Sequence, residues 1–172
     1  MLRMTGCVMV TLGCLGLGLW YRQQFLQRLH HIRVLSQILE MMMSEVSYNK
    51  ATLPECCLHL SKRLESPYRQ AFEEVHGKML ENTGEGFGQV FHDRMKSCLE
   101  EVPLQKEEKE LFLQFSRSCG FEDGKMQLRS MEQYNDRLKS LIHRLEQETA
   151  EKCRMALGLG AMSGLLLVII LL

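Results

Sequence analysis

Two stretches without a charged side chain, near the two ends of the sequence, constrain the fold of this chain most strongly. They are residues 4–20 and residues 155–172, and both are rich in Leu, Gly and other apolar or small residues. A helix that crosses the hydrocarbon core of a membrane needs about 20 predominantly apolar residues, with a range of roughly 17–25. We therefore predict two transmembrane helices, at residues 1–21 and 155–172, which flank a domain at residues 22–154.

The first stretch has a rival interpretation as a cleaved signal peptide. Arg3 supplies a thin basic region before the apolar run, as signal peptides require. The apolar run is nevertheless too long for a signal peptide, and no A-x-A cleavage pattern follows it. Trp20 and Tyr21 lie where aromatic side chains anchor a helix at the membrane interface. The sequence therefore favours a retained helix.

The formal net charge is zero, with 21 basic and 21 acidic side chains, but the two signs are separated along the chain. Residues 1–39 carry four arginines and no acidic residue, and residues 152–172 carry only Lys152 and Arg154. Because Lys and Arg are enriched on the cytoplasmic side of membrane spans, the domain between the spans is predicted to be cytoplasmic. A chain with no basic excess is not typical of a nucleic-acid-binding protein, so no nucleic-acid partner is expected.

The middle of the chain is predicted to be entirely α-helical. Its apolar residues recur at helical spacing, and no segment alternates apolar and polar residues as a half-buried strand would. The sequence Thr52-Leu53-Pro54-Glu55 matches a capping box, in which the Glu55 side chain reaches back to the start of the helix. Further turn signals divide the segment, and the predicted fold is an antiparallel bundle of about six helices.

The predicted bundle has five features that a structure can test. The apolar stripe of the first helix is expected to run from Phe25 to Tyr48, and the second helix to end near Leu64. The acidic run at residues 100–110 is expected to be a solvated face or a docking face for a basic partner. Asn135 interrupts the apolar face of the last helix. The fifth helix is expected to bury four residues: Leu111, Phe112, Phe115 and Ser118.

No catalytic, cofactor-binding or metal-binding site is predicted. The seven cysteines form no C-x-x-C pair, and Cys56-Cys57-x-His59 is half of a zinc motif without a second half. The Gly-rich residues 84–88 lack the Lys-Ser/Thr of a phosphate loop. The pair His92 and Asp93 has no nucleophile or oxyanion donor at helical spacing. We therefore expect neither a cofactor nor enzymatic activity.

Small residues recur in the second predicted span. Ala156, Gly160 and Gly164 are spaced four apart, and the two glycines form a G-x-x-x-G pattern. Such a pattern lets helix backbones approach closely, either within one chain or between copies in a homo-oligomer. The alternative is that Gly is simply frequent in membrane helices. The sequence leaves both interpretations open.

Several short motifs occur in a characteristic order along the chain. The motif E-V-x-Y at residues 45–48, followed by T-L-P-E at residues 52–55, resembles the first helical hairpin of the stage III sporulation protein AB family of endospore-forming bacteria. The motif L-x-L at residues 111–113, followed by C-G-x-x-D-x-x-x-Q at residues 119–127, resembles its L-G-x-S-D-x-x-x-Q signature. The aliphatic residues 165–172 resemble its ending. The resemblance covers nearly the whole chain.

The resemblance implies a function and partners. The family is similar to the cytoplasmic domain of the platform protein F of type II secretion, which implies a non-enzymatic platform subunit of a secretion-like complex between mother cell and forespore. The implied partners are the membrane, other sporulation membrane subunits and a cytoplasmic secretion-type ATPase. The implied location is the mother-cell membrane at the forespore. Gly120, Asp123 and Gln127 match the family motif and would shape a turn. The alternative is a membrane-anchored helical scaffold or sensor unrelated to sporulation.

Overall fold

A computed structural model describes the backbone of residues 2–49, 51–81, 84–117 and 124–171, with side chains mainly between residues 22 and 148. The described backbone holds six α-helices and no β-strand, which confirms the predicted all-α fold. The helices are α1 (Leu2–Tyr48), α2 (Leu53–Ser61), α3 (Tyr68–Leu80), α4 (Phe87–Glu100), α5 (Lys106–Arg117) and α6 (Gly124–Leu171).

The chain divides into two compact units. Unit 1 comprises residues 1–29 and 142–172, and unit 2 comprises residues 30–141. In unit 1 the side chains of Leu29 and Leu145 are buried. Unit 2 contains helices α2 to α5 together with the adjoining parts of α1 and α6, and it holds most of the buried side chains that the structure describes.

The predicted membrane spans fall in the sequence of unit 1. Among the residues that the structure describes, no helix combines the length and the apolar character needed to cross a membrane. Most side chains of residues 1–21 and 155–172 lie outside the described residues, and so do those of Ala156, Gly160 and Gly164. The two spans and their packing through small residues therefore stay predictions.

The core of unit 2 is built around the ring of Phe91 in α4. Four other phenylalanine rings lie around it, with centroid distances of 5.7 Å to Phe72, 5.5 Å to Phe87, 6.4 Å to Phe112 and 6.0 Å to Phe115. Most of these pairs are edge-to-face or tilted, which are favoured arrangements of aromatic rings. These five rings, which we call the aromatic cluster, join α3, α4 and α5.

Helix α1 contributes one apolar face to the core. The fully buried apolar side chains that α1 contributes to unit 2 are Ile32, Leu35, Ile38, Leu39 and Met42. The middle of the predicted stripe is thus confirmed, but its predicted end is wrong, because Tyr48 is 84% exposed. Six residues separate Tyr48 from Met42, which corresponds to about one and two-thirds helical turns. Tyr48 therefore points away from the face that the stripe follows.

The turns that follow α2 and precede α4 have well-defined backbone geometry. Gly84 precedes α4 with φ of 78°, a conformation that glycine adopts without steric penalty. Helix α2 ends at Ser61 instead of near Leu64. The N–H groups of Arg63 and Leu64 both bond to the carbonyl of Leu60, so the chain completes one tight turn beyond the helix.

The buried face of α5 differs from the prediction in two residues. Phe112 and Phe115 are buried as expected, but Leu111 is half-buried and Ser116 is fully buried instead. The predicted Ser118 lies outside the described residues.

Glu108 corrects the prediction of a solvated acidic face. Residues 100–110 are predicted as a solvated face or as a docking face for a basic partner, yet Glu108 is only 3% exposed. Its carboxylate accepts a hydrogen bond of 2.8 Å from the backbone N–H of Gln105, three residues earlier. The first N–H groups of a helix have no hydrogen-bond acceptor within the helix, and a glutamate at this position accepts a bond from one of them. The cap of α5 therefore gives this buried carboxylate a hydrogen-bond partner.

Candidate functional site

Polar side chains join α1 to α6 inside unit 2. The hydroxyl of Ser36 donates a hydrogen bond of 2.6 Å to the side-chain oxygen of Asn135, and both residues are buried. The amide nitrogen of Asn135 lies 3.4 Å from the carboxylate of Glu40, which also binds the ammonium of Lys139 at 2.7 Å. We call these four residues the α1–α6 polar seam. Asn135, which the sequence predicts to interrupt the apolar face of α6, is therefore hydrogen-bonded to residues of α1.

The two charged groups of the seam stabilise each other's ionised form. The hydrogen bond from Lys139 lowers the pKa of Glu40, an effect that partial burial opposes and the Asn135 amide supports. The same contact raises the pKa of Lys139. Both side chains are therefore charged at neutral pH, and the ion pair neutralises one carboxylate of this surface.

An open groove of about 510 Å³ lies beside the polar seam, between α1 and α6 of unit 2. Two of its lining side chains, Met43 and Leu128, are apolar. The remaining lining residues are Glu40, Ser44, Ser47, Tyr48, Glu132, Asn135, Asp136 and Lys139. We call this surface the α1–α6 groove.

The lining of the α1–α6 groove does not suit a small-molecule cofactor. Pockets for small ligands are typically enclosed and lined mostly by apolar side chains. This groove is open, its lining surface is about half polar and half apolar, and it carries three carboxylates with one ammonium. Among the described residues, no group of three His, Cys, Asp or Glu side chains is placed to hold a metal ion. The groove therefore lacks the enclosed apolar lining that is typical of a small-ligand site.

A second buried carboxylate joins α1 to α2. Glu45 is 4% exposed, and its carboxylate accepts a hydrogen bond of 2.8 Å from the amide of Asn49. The same oxygen lies 3.0 Å from Nδ1 of His59, and the guanidinium of Arg63 lies 3.9 Å from the other oxygen. These four residues form the Glu45 cluster. The Asn49 bond lowers the pKa of Glu45 most, followed by the His59 bond, although burial opposes both.

Replacing Glu45 by Gln is expected to lower the melting temperature of the chain at pH 7. A carboxyl group whose pKa is lowered on folding stabilises the fold above its unfolded pKa of about 4.5, and this contribution is lost as the pH falls through the folded value. The melting temperatures of wild type and Glu45→Gln should therefore converge below pH 4.5. Thermal unfolding followed by circular dichroism from pH 3 to pH 7 measures this. The exposed Glu73→Gln is the control, and equal melting temperatures at pH 7 would contradict the prediction.

The capping sequence holds the start of α2 and links it to α3. The carboxylate of Glu55 accepts a hydrogen bond of 3.0 Å from the backbone N–H of Thr52, as the capping box predicts for the glutamate. It also accepts a bond of 2.8 Å from the Thr52 hydroxyl, which the capping box does not predict. These two bonds lower the pKa of Glu55. Nδ1 of His76 donates to the carbonyl of Pro54 at 2.9 Å. Leu53 and Pro54 are half-buried, so the predicted cap is also a contact between helices.

The side chains considered for acid–base chemistry join helices instead. His92 does not bond to Asp93, and its Nδ1 lies 2.8 Å from the hydroxyl of Ser116 in α5. The Ser116 hydroxyl donates to the carbonyl of Leu113 at 2.5 Å, so its oxygen accepts from His92. In a nucleophilic pair the histidine would accept the serine proton. Ser116 is also fully buried, which closes it to a substrate.

The cysteines and the histidine of the half zinc motif lie in different environments. Cys56 and Cys57 are fully buried, whereas His59 is exposed on α2 and bonds to Glu45 of α1. Burial raises the pKa of the Cys56 thiol to about 12, and it does the same for Cys98. The thiolate is the reactive and metal-binding form of cysteine, so these thiols are poor nucleophiles and poor ligands at neutral pH.

The structure describes one of the three residues of the family-motif turn. Gly120 and Asp123 lie outside the described residues. Gln127 is 6% exposed, and within the described part of the chain its amide nitrogen Nε2 has no hydrogen-bond partner. The proposed role of the three residues in shaping a turn stays a prediction.

Sequence reasoning missed the α1–α6 groove and the burial of Glu45. The groove residues of α1 repeat at helical spacing from Glu40 to Tyr48, which is a signal for one shared face. That face mixes acidic, hydroxyl and aromatic side chains, so it does not stand out as an apolar stripe. The partner face on α6 begins 80 residues later, at Leu128, and no local pattern connects the two.

Comparison with known proteins places the fold among sporulation proteins. The family model described as stage III sporulation protein AB matches residues 3–172. A solved structure of "Stage III sporulation protein AB (SpoIIIAB)" is similar with a TM-score of 0.65 at 20% identity, covering 72% of this chain and 97% of that chain. No curated protein sequence matches the chain significantly. At 20% identity the structural similarity concerns the fold alone.

Proposed function

The chain belongs to the stage III sporulation protein AB family, whose model matches it over residues 3–172, and from this premise we propose a platform function in sporulation. Family membership supports a sporulation-related role, so the alternative of a scaffold or sensor unrelated to sporulation is set aside. The proposed protein is a non-enzymatic subunit of a secretion-like complex between mother cell and forespore.

The proposal includes attachment to the mother-cell membrane by two spans. The uncharged residues 4–20 and 155–172 support it, as do the basic residues that lie directly beside both stretches on the side of the central domain. Because Lys and Arg mark the cytoplasmic side, unit 2 would face the cytoplasm. A cytoplasmic unit held at the membrane in this way is accessible to a soluble ATPase.

The main support for the scaffold proposal is that polar side chains of unit 2 form hydrogen bonds between helices. Ser36 with Asn135 joins α1 to α6, and His92 with Ser116 joins α4 to α5. These pairs bond from helix to helix, and of their four residues Asn135 alone lines the open α1–α6 groove. Fully bonded buried pairs rigidify a fold, which suits a unit that presents a fixed surface to partners. A cytoplasmic secretion-type ATPase and other sporulation membrane subunits are the proposed partners.

Affinity purification of the tagged full-length chain from membranes of sporulating cells tests this function. We expect the chain in the membrane fraction, together with the secretion-type ATPase and other sporulation membrane proteins. An unrelated membrane protein with the same tag, expressed at the same stage, is the control. Recovery of the chain in the soluble fraction, without the ATPase, would contradict the proposal.

A further inference from the structure

The geometry points to the α1–α6 groove of unit 2 as the docking site for a helix of a protein partner rich in Lys and Arg. This inference deepens the proposed function and rests on it, because it assigns the surface by which the scaffold holds a partner. The groove lies on a part of the fold that none of the sequence motifs of the chain singles out as a binding surface.

The shape of the groove suits a helix. Its α1 wall runs from Glu40 to Tyr48, and its α6 wall runs from Leu128 to Lys139. With a rise of 1.5 Å per residue, these walls are about 12 Å and about 16 Å long, or two to three helical turns. An amphipathic helix that binds in a groove is held by side chains at i, i+3, i+4 and i+7, which span about two turns.

The net negative charge of the groove favours a positively charged partner. Glu40 is neutralised by Lys139 at 2.7 Å. Glu132 and Asp136 lie one turn apart on α6 and both are exposed. Neither has an ion-pair contact among the described residues, and although Asp136 also attracts Lys139, the groove has three carboxylates against one ammonium. Their combined negative charge would attract Lys and Arg side chains and repel the phosphates of lipids and nucleic acids. A polypeptide with a basic face is therefore the occupant that fits.

The remaining lining residues provide contacts that a helix can use. Met43 and Leu128 give the groove two apolar side chains, and methionine adapts its shape to different partners. The ring of Tyr48, which is 84% exposed, stands beside them, and exposed tyrosines are enriched at protein interfaces. The hydroxyls of Ser44 and Ser47 add hydrogen-bonding groups. An amphipathic basic helix would match this combination of apolar, polar and acidic groups.

Binding of a designed peptide to the purified full-length chain tests the chemistry of the groove. The probe is an 18-residue helical peptide with Leu on one face and Lys on the other, measured by fluorescence anisotropy. We expect Glu132→Lys with Asp136→Lys to weaken binding at least tenfold, and added salt to weaken binding to the wild type. The matched control is Glu107→Lys with Glu110→Lys, two exposed acidic residues of α5 that lie outside the groove and give the same change in net charge.

Three outcomes of the peptide experiment would overturn the inference. They are equal weakening by the groove variant and the α5 variant, no weakening by either, and equal binding of a peptide in which Glu replaces every Lys. If the double lysine variant fails to fold, Glu132→Gln with Asp136→Asn removes the same charges with smaller changes, and a loss of binding of at least threefold is expected.

Co-purification from sporulating cells separates the inference from the proposed function. If the ATPase is recovered with the wild-type chain and with the α5 variant but not with the groove variant, both are supported. If the ATPase is recovered equally with all three, the groove is not its docking site and the proposed function stands. If no ATPase is recovered with the wild type although the peptide binds the groove, the proposed function fails and the inference stands for another basic partner.

Discussion

Replacing Phe91 by Ala is expected to lower the free energy of unfolding by about 3–5 kcal/mol, the range typical of a fully buried phenylalanine. Phe91 is the ring around which Phe72, Phe87, Phe112 and Phe115 are placed, and it is 0% exposed. Its removal takes away contacts with α3 and α5 together and leaves a cavity that these helices cannot fully close. Urea unfolding of the full-length chain, followed by circular dichroism, measures the loss.

Two further variants define what the Phe91 result means. Phe91→Leu keeps most of the apolar volume, so it should cost clearly less than Phe91→Ala. Tyr48→Ala removes an aromatic ring of similar size from an exposed position, and its effect should stay within about 0.5 kcal/mol. A loss below about 1 kcal/mol for Phe91→Ala would show that the aromatic cluster does not hold α3, α4 and α5 together.

The sequence predicts the helices of this fold well because the signals for a helix are local. Helical spacing of Ile32, Leu35, Leu39 and Met42 identifies a buried face without knowledge of its partner, and the structure buries all four. The reach-back of Glu55 to Thr52 is likewise set within one turn of the chain. These features depend on neighbours three or four residues away, so a single sequence contains the information they need.

Features that depend on contacts between distant helices are not predictable in this way. Glu45 and Glu108 are acidic residues that a sequence pattern assigns to solvent, yet both are buried. The groups that contact the buried Glu45 carboxylate include His59 of α2 and Arg63, which follows α2. Glu108 differs, since the bond by which it caps the start of α5 is local and does not by itself predict burial. Tyr48 is mispredicted in the opposite direction. Its aromatic ring predicts burial, but its position on α1 places it off the buried face and it is 84% exposed.

The position of the α1–α6 groove likewise depends on contacts between residues that are distant in sequence. Ser36 and Asn135 are 99 residues apart in sequence, and only the packing of α1 beside α6 brings their side chains to 2.6 Å. The groove beside them takes its charge from Glu132 and Asp136 on one helix and its exposed ring from Tyr48 on the other. Its position therefore depends on the register of two helices, which no motif within either helix specifies.

Replacing Asn135 by Ala is expected to lower the free energy of unfolding by about 2 kcal/mol, within the range of 1–3 kcal/mol for a buried polar group that loses its partner. Asn135 is 3% exposed, and its side-chain oxygen accepts the hydrogen bond from Ser36, which is 6% exposed. After the substitution the Ser36 hydroxyl stays buried without its acceptor. Urea unfolding of the variant, compared with Gln133→Ala at an exposed position of α6, measures the loss.

A variant that removes both partners of this hydrogen bond separates bonding from packing. Ser36→Ala combined with Asn135→Leu replaces the polar pair by apolar side chains, and it should be more stable than Asn135→Ala alone because no buried group is left unbonded. The interaction energy from the cycle of Ser36→Ala, Asn135→Ala and their combination should lie between about 0.5 and 3 kcal/mol, as for residues in contact. An interaction energy near zero would mean that α1 and α6 are held in register by their apolar faces alone. A positive value assigns part of that register to the polar seam, and the α1–α6 groove would then be disturbed by Asn135→Ala as well as by changes in its own lining.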